Sequence, residues 1–157
     1  MLFRSKDLGE NSDQMDLLFS DVDKYLIPTI NECARFNAVS PRHRRTVMQD
    51  CVVKNTQLKK GDEISLCLDS ANRDIKRWSN PDTLDITRDS RQHLSYGIGT
   101  HKCIARLMSE RILISLLKIL IDDFGKYKIV TKKEDYNIVV SPVGSPEMIT
   151  NIVIEKM

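Results

Sequence analysis

A cysteine between a glycine-containing loop and a helical pattern is the first candidate for chemistry. In "YGIGTHKCIARLMSERI", residues 96–112, Gly97, Gly99 and His101 precede Cys103, and an apolar pattern of helical period follows it. The thiolate is the nucleophilic and metal-binding form of cysteine, and a helix N-terminus stabilises its negative charge. Glycines allow a sharp turn and a close approach of the backbone to a flat ligand. The stretch therefore predicts an activated cysteine, with an inert buried thiol as the alternative.

Three charged residues elsewhere in the sequence indicate a specific structure only when they are considered together. Glu32 and Arg35, in "NECAR", are spaced so that they share one face of a helix, where they can form an ion pair. Arg88, in "NPDTLDITR", precedes His93 by five residues within a long stretch that lacks any sustained period. Each feature alone indicates only a surface ion pair or a loop arginine.

Composition indicates one globular domain. The chain has 157 residues, 41% of them hydrophobic, and a formal net charge of +2. Its four cysteines form no C-x-x-C pair, which argues against a zinc site or a disulfide framework. The longest apolar run, "ILISLLKILI", is shorter than the ~20 residues that span a bilayer. We expect a cytoplasmic protein with neither nucleic acid nor a membrane as its partner.

The periodicity predicts helices first and small strands later. Two helices are expected in 11–36, the first capped by Asn11 or Ser12 and the second starting at Asp21. "RTVMQDCVV" and "DEISLCL" predict strands on either side of the turn "KNTQLKKGD", and "DSANRDIKRW" predicts a short helix. Residues 79–102 have no regular pattern, and irregular stretches of this length in compact domains are usually functional.

The last third predicts one long helix followed by strands. Apolar residues recur at helical spacing over 104–124, and Gly125 is a stop signal. The tail, 126–155, predicts two or three β segments with turns at 132–135 and 143–146.

Together these motifs resemble the C-terminal part of a cytochrome P450, a haem-thiolate monooxygenase, and are most similar to its soluble bacterial members. The motifs follow the order found in the family. "NECAR" resembles its E-x-x-R helix, "RRTVMQD" its propionate-binding strand, "NPDTLDITR" the approach to its meander loop, and "HLSYGIGTHKCIA" its cysteine-ligand loop. The resemblance is clearest over 12–124.

The resemblance implies an α+β protein with a truncated P450 fold. The expected parts are the E-x-x-R helix, small β-sheets from 45–67 and 126–155, the meander, the cysteine loop and a long helix, 104–124, packed on 22–36. We expect a single partial domain, 1–157, with a β tail from 126 onwards.

The resemblance also assigns roles to single residues. The resemblance implies that Cys103, as thiolate, is the axial iron ligand of haem b (iron protoporphyrin IX). Electron density donated by the sulfur favours O–O cleavage. His101, His93 and Arg45 are the implied propionate partners, with Arg44 as the alternative to Arg45. The remaining implied site residues are Gly97 and Gly99, Tyr96 in place of the usual phenylalanine, Ala105 in place of the usual glycine, and the structural triad Glu32, Arg35 and Arg88.

The implied function is oxidation of a small organic substrate with O₂, supported by a ferredoxin- or flavodoxin-type electron donor. The family's oxygen-activating helix, with its acid–threonine pair, has no counterpart in this sequence. No residue can therefore be assigned to catalysis. Three interpretations stay open: a fragment of a monooxygenase, a non-catalytic relic or haem-binding module, and one half of a split enzyme that a second, N-terminal chain completes.

Overall fold

The computed structural model describes residues 2–135, 137–140, 146–149 and 152–157. Five α-helices and eight short strands are assigned within them. The helices are α1 (Leu2–Gly9), α2 (Ser12–Ser20), α3 (Val22–Phe36), α4 (Leu68–Ala71) and α5 (Arg106–Phe124). The strands are β1 (Arg42–Thr46), β2 (Cys51–Val53), β3 (Thr56–Leu58), β4 (Glu63–Cys67), β5 (Tyr127–Ile129), β6 (Ile138–Val140), β7 (Pro146–Ile149) and β8 (Ile154–Lys156).

Helix α3 forms the centre of the described structure. It begins where the Asp21 side chain accepts a hydrogen bond from the Lys24 backbone N–H at 3.0 Å, as the sequence predicted. Its C-terminal half is buried around its whole circumference, and it packs against both α2 and α5. Pro28 lies inside the helix rather than at its first turn. The apolar core around α3 consists of Leu8, Met15, Leu18, Leu26, Ile30, Cys33, Leu84, Ile86, Leu117 and Tyr127.

The strands form four separate two-stranded antiparallel sheets, β1–β4, β2–β3, β5–β8 and β6–β7. In the first sheet His43 lies opposite Leu66, and Arg45 lies opposite Ile64. The α+β prediction is confirmed, and so is the packing of the long C-terminal helix on α3.

Several boundaries differ from the sequence prediction. The segment predicted as a turn, "KNTQLKKGD", contains β3, because Lys54 adopts a positive φ of 51° and reverses the chain early into a hairpin with β2. The helix predicted for "DSANRDIKRW" is the four-residue α4, and α1 was not predicted. The tail holds four strands rather than two or three; a short 3₁₀ helix occupies Lys133–Asp135, and residues 143–145 of the predicted turn lie outside the described residues.

Helix α5 ends as predicted but leaves part of its apolar surface uncovered. Gly125, with a φ of +69°, follows its last turn, and Leu117 is the residue it buries against α3. Ile104 just before the helix is fully exposed, while Leu107 and Met108 are 75% and 63% exposed. Among the described helices, none combines the length and the apolar character that a membrane crossing requires.

Candidate functional site

The loop before α5 is closed on itself by backbone hydrogen bonds. The N–H of Gly97 donates to the carbonyl of Leu94 at 2.8 Å, and that of Lys102 donates to Gly99 at 3.1 Å. The N–H of Cys103 donates to the carbonyl of Tyr96 at 2.8 Å, which joins the end of the loop to its start. The thiol is therefore carried on a loop whose backbone path is held at several points.

Both glycines of this loop adopt conformations that other residues avoid. Gly97 and Gly99 each have a φ of +66°. A Cβ at Gly97 would also lie 3.2 Å from the carbonyl oxygen of His101, whereas a Cβ at Gly99 would point into open space. Gly97 is thus required for both its φ and its close contact, and Gly99 for its φ alone.

Cys103 is exposed and reduced, in agreement with an accessible ligand rather than an inert buried thiol. Helix α5 begins at Arg106 with Ala105 as its N-cap, so the thiol precedes the helix by three residues and is not in its first turn. Exposed Ile98 and Ile104 lie on either side of Cys103 in the sequence. The surroundings of the thiol therefore offer apolar side chains that no described residue covers.

A cavity of about 340 Å³ separates this loop from the β1–β4 sheet. Arg45 and His43 line it from β1, and His101 lines it from the cysteine loop. The other lining residues are mostly apolar: Leu66, Cys67, Leu68, Ala71, Leu94, Gly97 and Ile98. Hydrogen-bond donors above apolar walls suit a flat apolar ligand that carries carboxylates.

Strand alternation separates the two arginines that the sequence could not distinguish. His43 and Arg45 are half-buried, whereas Arg42 and Arg44 are exposed. Successive side chains of a strand point to opposite faces, so Arg45 lies on the cavity side and Arg44 on the other. Arg45 is further oriented by a hydrogen bond from its Nη1 to the carbonyl of Arg44 at 2.7 Å.

His93 lies apart from the cavity lining. Its side chain is 4% exposed, its Nδ1 accepts a hydrogen bond from the N–H of Ser95 at 3.1 Å, and its ring centroid is 5.4 Å from that of Tyr96. The Tyr96 ring in turn lies under the guanidinium of Arg106 at 5.3 Å. The rings of His93 and Tyr96 therefore pack against each other at the start of the cysteine loop.

A second buried cluster is centred on the carboxylate of Glu32. Arg35 donates to it twice, from Nη2 to Oε1 at 2.7 Å and from Nε to Oε2 at 2.9 Å. Arg88 donates from Nε to Oε1 at 3.1 Å, and the Ser90 hydroxyl donates to Oε2. The structure thus brings together Glu32, Arg35 and Arg88, with both Glu32 and Arg35 fully buried.

The arginines of this cluster also organise the irregular stretch. Arg35 Nη1 donates to the carbonyls of Asn72 and Pro81 at 2.9 and 2.8 Å. Arg88 Nη2 donates to the carbonyl of Asn80 at 3.2 Å. Backbone groups in segments without secondary structure need hydrogen-bond partners outside helices and sheets. Here the guanidinium groups of Arg35 and Arg88 donate those hydrogen bonds to the backbone carbonyls.

Asn72 connects this cluster to the cysteine loop. Its backbone carbonyl accepts from Arg35, its Oδ1 accepts from the N–H of Leu94 at 2.7 Å, and its Nδ2 donates to Ser95 Oγ at 2.9 Å. The Ser95 hydroxyl donates to the carbonyl of Ala34 in α3. A continuous set of hydrogen bonds thereby runs from the buried carboxylate to the loop that carries Cys103.

Sequence reasoning missed three of these residues. Asn72 lies in the segment "DSANRDIKRW" but had no assigned role, and Ser90 gave no signal because its partner is 58 residues away. His43 was missed because the predicted strand began at Arg45, whereas β1 begins at Arg42 and places His43 on the same face as Arg45.

Burial alone would raise the pKa of Glu32. Hydrogen bonds from Arg35 and Ser90, the charge of Arg35 and the N–H of Asp85 outweigh it and hold the pKa of Glu32 below its ordinary value. The carboxylate is therefore ionised at neutral pH. Among the described residues, no group of three or more His, Cys, Asp or Glu side chains is arranged to hold a metal ion.

Comparison with known proteins was made at three levels. A family model described as Cytochrome P450 matches residues 19–137. Cytochrome P450-terp of a Pseudomonas species is 38% identical over 104 residues, which cover 66% of this chain and 24% of that protein. A steroid C26-monooxygenase of Mycolicibacterium smegmatis is 34% identical over 128 residues, covering 76% of this chain and 31% of that protein.

The fold is similar to that of solved structures as well. The structure of the tirandamycin C-bound P450 monooxygenase TamI superposes with a TM-score of 0.89 at 24% sequence identity. That superposition covers 99% of this chain but 38% of the TamI chain. The chain thus spans between a quarter and two fifths of the length of these proteins.

Replacing Arg35 tests the energetic weight of the buried cluster. Arg35→Ala leaves the Glu32 carboxylate buried with fewer partners, and we expect a loss of about 3–5 kcal/mol in the free energy of unfolding. Urea unfolding followed by the fluorescence of Trp78, the single tryptophan, measures this loss. The matched control is Arg91→Ala, which removes an exposed ion pair with Asp89 and should barely move the midpoint. Equal midpoints for the two variants would contradict the assignment.

Acid should weaken the same cluster. Because the pKa of Glu32 is lower in the folded chain than its ordinary value of 4.5, its stabilisation is complete above pH 4.5. It is lost as the pH falls from 4.5 through the folded-state pKa. We expect the free energy of unfolding of Glu32→Gln to be lower than that of the wild type at pH 7, and the gap to narrow below pH 4.5. Urea titrations at pH 7, 5, 4 and 3 check this, and a constant gap would refute it.

Proposed function

The chain belongs to the cytochrome P450 family, and from that premise we propose that it forms the proximal side of a haem site with the Cys103 thiolate as the iron ligand. Proteins of this family bind haem through a cysteine thiolate. The observation that carries the proposal is the exposed thiol at the end of a hydrogen-bonded loop whose Gly97 and His101 line a cavity together with Arg45 of β1.

The chemistry of the cavity fits the edge of a porphyrin. Protoporphyrin IX is a flat apolar ring with two carboxylates, and the lining combines apolar side chains with cationic or imidazole donors and contains no Asp or Glu. Gly97 lines the cavity without a side chain, so backbone meets the ligand at this point of the loop. The residues present therefore fit the group.

Each site residue receives a role in this proposal. Arg45 and His101 would donate to the propionates from the strand and from the cysteine loop, because charge-assisted hydrogen bonds to carboxylates are the strong kind. Arg45 is proposed in preference to Arg44, since Arg44 is exposed and Arg45 lines the cavity. The ring contact between His93 and Tyr96 positions the start of the cysteine loop, and Ala105 is the N-cap of the helix that follows it.

The buried cluster has a positioning role. Glu32, Arg35 and Arg88 hold the irregular stretch against α3, and Asn72 extends that support to the cysteine loop. A thiolate ligand needs a fixed backbone, because small displacements change its distance to the iron. We propose that this network keeps Cys103 in the position from which it binds haem.

The activity of the whole protein is proposed from the family. Thiolate-bound haem supplies the redox chemistry by which an organic substrate is oxidised with O₂. This chain's contribution is to bind the group, to neutralise its carboxylates and to keep the thiolate in place. A small organic molecule is the proposed substrate class, and a cytoplasmic location stays a prediction of the sequence.

The exposed apolar surface of α5 supports completion by a further segment. Leu107 and Met108 are largely exposed, and a contiguous apolar surface of this kind normally contacts another element. Relatives are three to four times as long as the matched region. We propose that a segment of the same polypeptide or of a second chain covers α5 and supplies the residues for oxygen activation, since none is assignable here.

An electron donor of the ferredoxin or flavodoxin type is the proposed partner. Lys102 is exposed in the cysteine loop and presents a positive charge beside Cys103. Arg106 is less available, because it forms an ion pair with Glu110 at 2.7 Å. An acidic donor would be attracted to Lys102 by complementary charge.

The identity of the iron ligand can be read from a spectrum. The chain is loaded with hemin, reduced and exposed to CO; we expect a red-shifted Soret band typical of thiolate ligation, and its loss in Cys103→Ala. Cys51→Ala is the matched control, because Cys51 is a free cysteine in β2, outside the cysteine loop. A band that survives in Cys103→Ala but disappears in Cys67→Ala would assign the ligand to Cys67 in β4, which lines the cavity, and reject the proposal.

Charge reversal tests the docking site of the donor. Lys102→Glu should slow reduction by an acidic ferredoxin and flatten the dependence of the rate on ionic strength. Lys60→Glu makes the same charge change at an exposed residue in the β3–β4 turn, and its rate should match the wild type. If both variants are reduced at the same rate, the docking site does not include Lys102.

A further inference from the structure

His43 is the donor of the cavity to which the resemblance assigns no role. We propose that its imidazole is a third hydrogen-bond donor to the haem carboxylates, alongside Arg45 of the same strand. The inference rests on the proposed function, because it concerns the same cavity. Its content is specific to this chain: among the described residues, three side chains rather than two bind the carboxylate-bearing edge of the ligand.

The register of β1 places His43 on the ligand side. His43 and Arg45 are alternate residues of one strand, so they share a face and their Cα atoms are about 7 Å apart. Leu66, which pairs with His43 across the sheet, lines the same cavity. His43 is half-buried between two exposed residues, as expected for a side chain turned towards the cavity.

The imidazole is available for a ligand. The described residues provide neither a hydrogen-bond acceptor nor an ion-pair partner for the side chain of His43, and the same is true of His101. Arg45 donates one of its N–H groups to the carbonyl of Arg44 and keeps the others. Polar groups that are withdrawn from water are normally hydrogen-bonded, so a half-buried imidazole that lines the cavity without a partner among the described residues indicates an acceptor in the ligand.

Two carboxylates need more donors than Arg45 and His101 offer. Each ionised carboxylate has two oxygens and about four acceptor positions. No carboxylate of the protein lines the cavity to compete for the donors. A third donor on the β1 wall therefore increases the number of charge-assisted hydrogen bonds without introducing a repulsive neighbour.

The test measures the rate at which hemin leaves the full chain. The chain is loaded with hemin and mixed with excess apomyoglobin, and transfer is followed by absorbance. Loss of one hydrogen bond to a charged group should make dissociation from His43→Ala about ten-fold faster than from the wild type. Arg44→Ala, which removes an exposed neighbour on the opposite face of the same strand, should leave the rate unchanged.

Hemin dimethyl ester separates a carboxylate contact from a general effect on the site. The ester lacks the ionised carboxylates, so the difference between His43→Ala and the wild type should vanish with this probe. His43→Gln retains a donor and should recover part of the wild-type rate with hemin. Circular dichroism of the hemin-free variants identifies any that fail to fold, and His43→Gln then carries the comparison.

The outcomes distinguish this inference from the proposed function. If the wild type holds hemin but His43→Ala loses it no faster than Arg44→Ala, the third donor is rejected and the proposed function stands. A difference that persists with the dimethyl ester likewise rejects a carboxylate contact. Failure of the wild type to bind hemin rejects both.

Discussion

The buried carboxylate of Glu32 is the interaction on which the rest of the structure depends. An ionised group in the interior is tolerated only when it is fully hydrogen-bonded, and Arg35, Arg88 and Ser90 meet that condition. Because Arg88 and Ser90 belong to a stretch without helices or strands, the charge in α3 is what draws that stretch into one conformation. Leu84 and Ile86 of the same stretch add apolar contacts, since both are buried in the core.

Hydrogen bonds also connect the buried ion pair to the cysteine loop. Arg35 binds the carbonyl of Asn72, and the side chain of Asn72 binds Leu94 and Ser95 at the start of the loop. The loop is closed by the hydrogen bond from Cys103 to Tyr96. The loop that carries an exposed thiol is thus connected by hydrogen bonds to a buried ion pair on another element.

The alternation of side chains along β1 decides which of its residues line the cavity. Alternation along β1 places His43 and Arg45 on the cavity and leaves Arg44 in solvent. One residue of register shift would exchange the two sets, so that Arg42 and Arg44 would face the cavity in place of His43 and Arg45. The strand therefore contributes an arginine and an imidazole to the cavity, while the cysteine loop contributes Gly97, Ile98 and His101.

The sequence by itself determined what depends on local chemistry. The helix start at Asp21, its pairing of Glu32 with Arg35, the need for glycine at 97 and 99, and the helix stop at Gly125 all follow from neighbours within a few residues. The motifs and their order were also enough to indicate the family and the α+β fold. The contact of Arg88 with Glu32 across 56 residues was implied only by the resemblance, and its geometry comes from the tertiary structure. Tertiary structure alone decided that Asn72 bonds to Leu94 across 22 residues and that Arg45 rather than Arg44 lines the cavity with His101. Such contacts depend on how whole elements pack and on strand register, and neither is encoded in the spacing of residues along the chain.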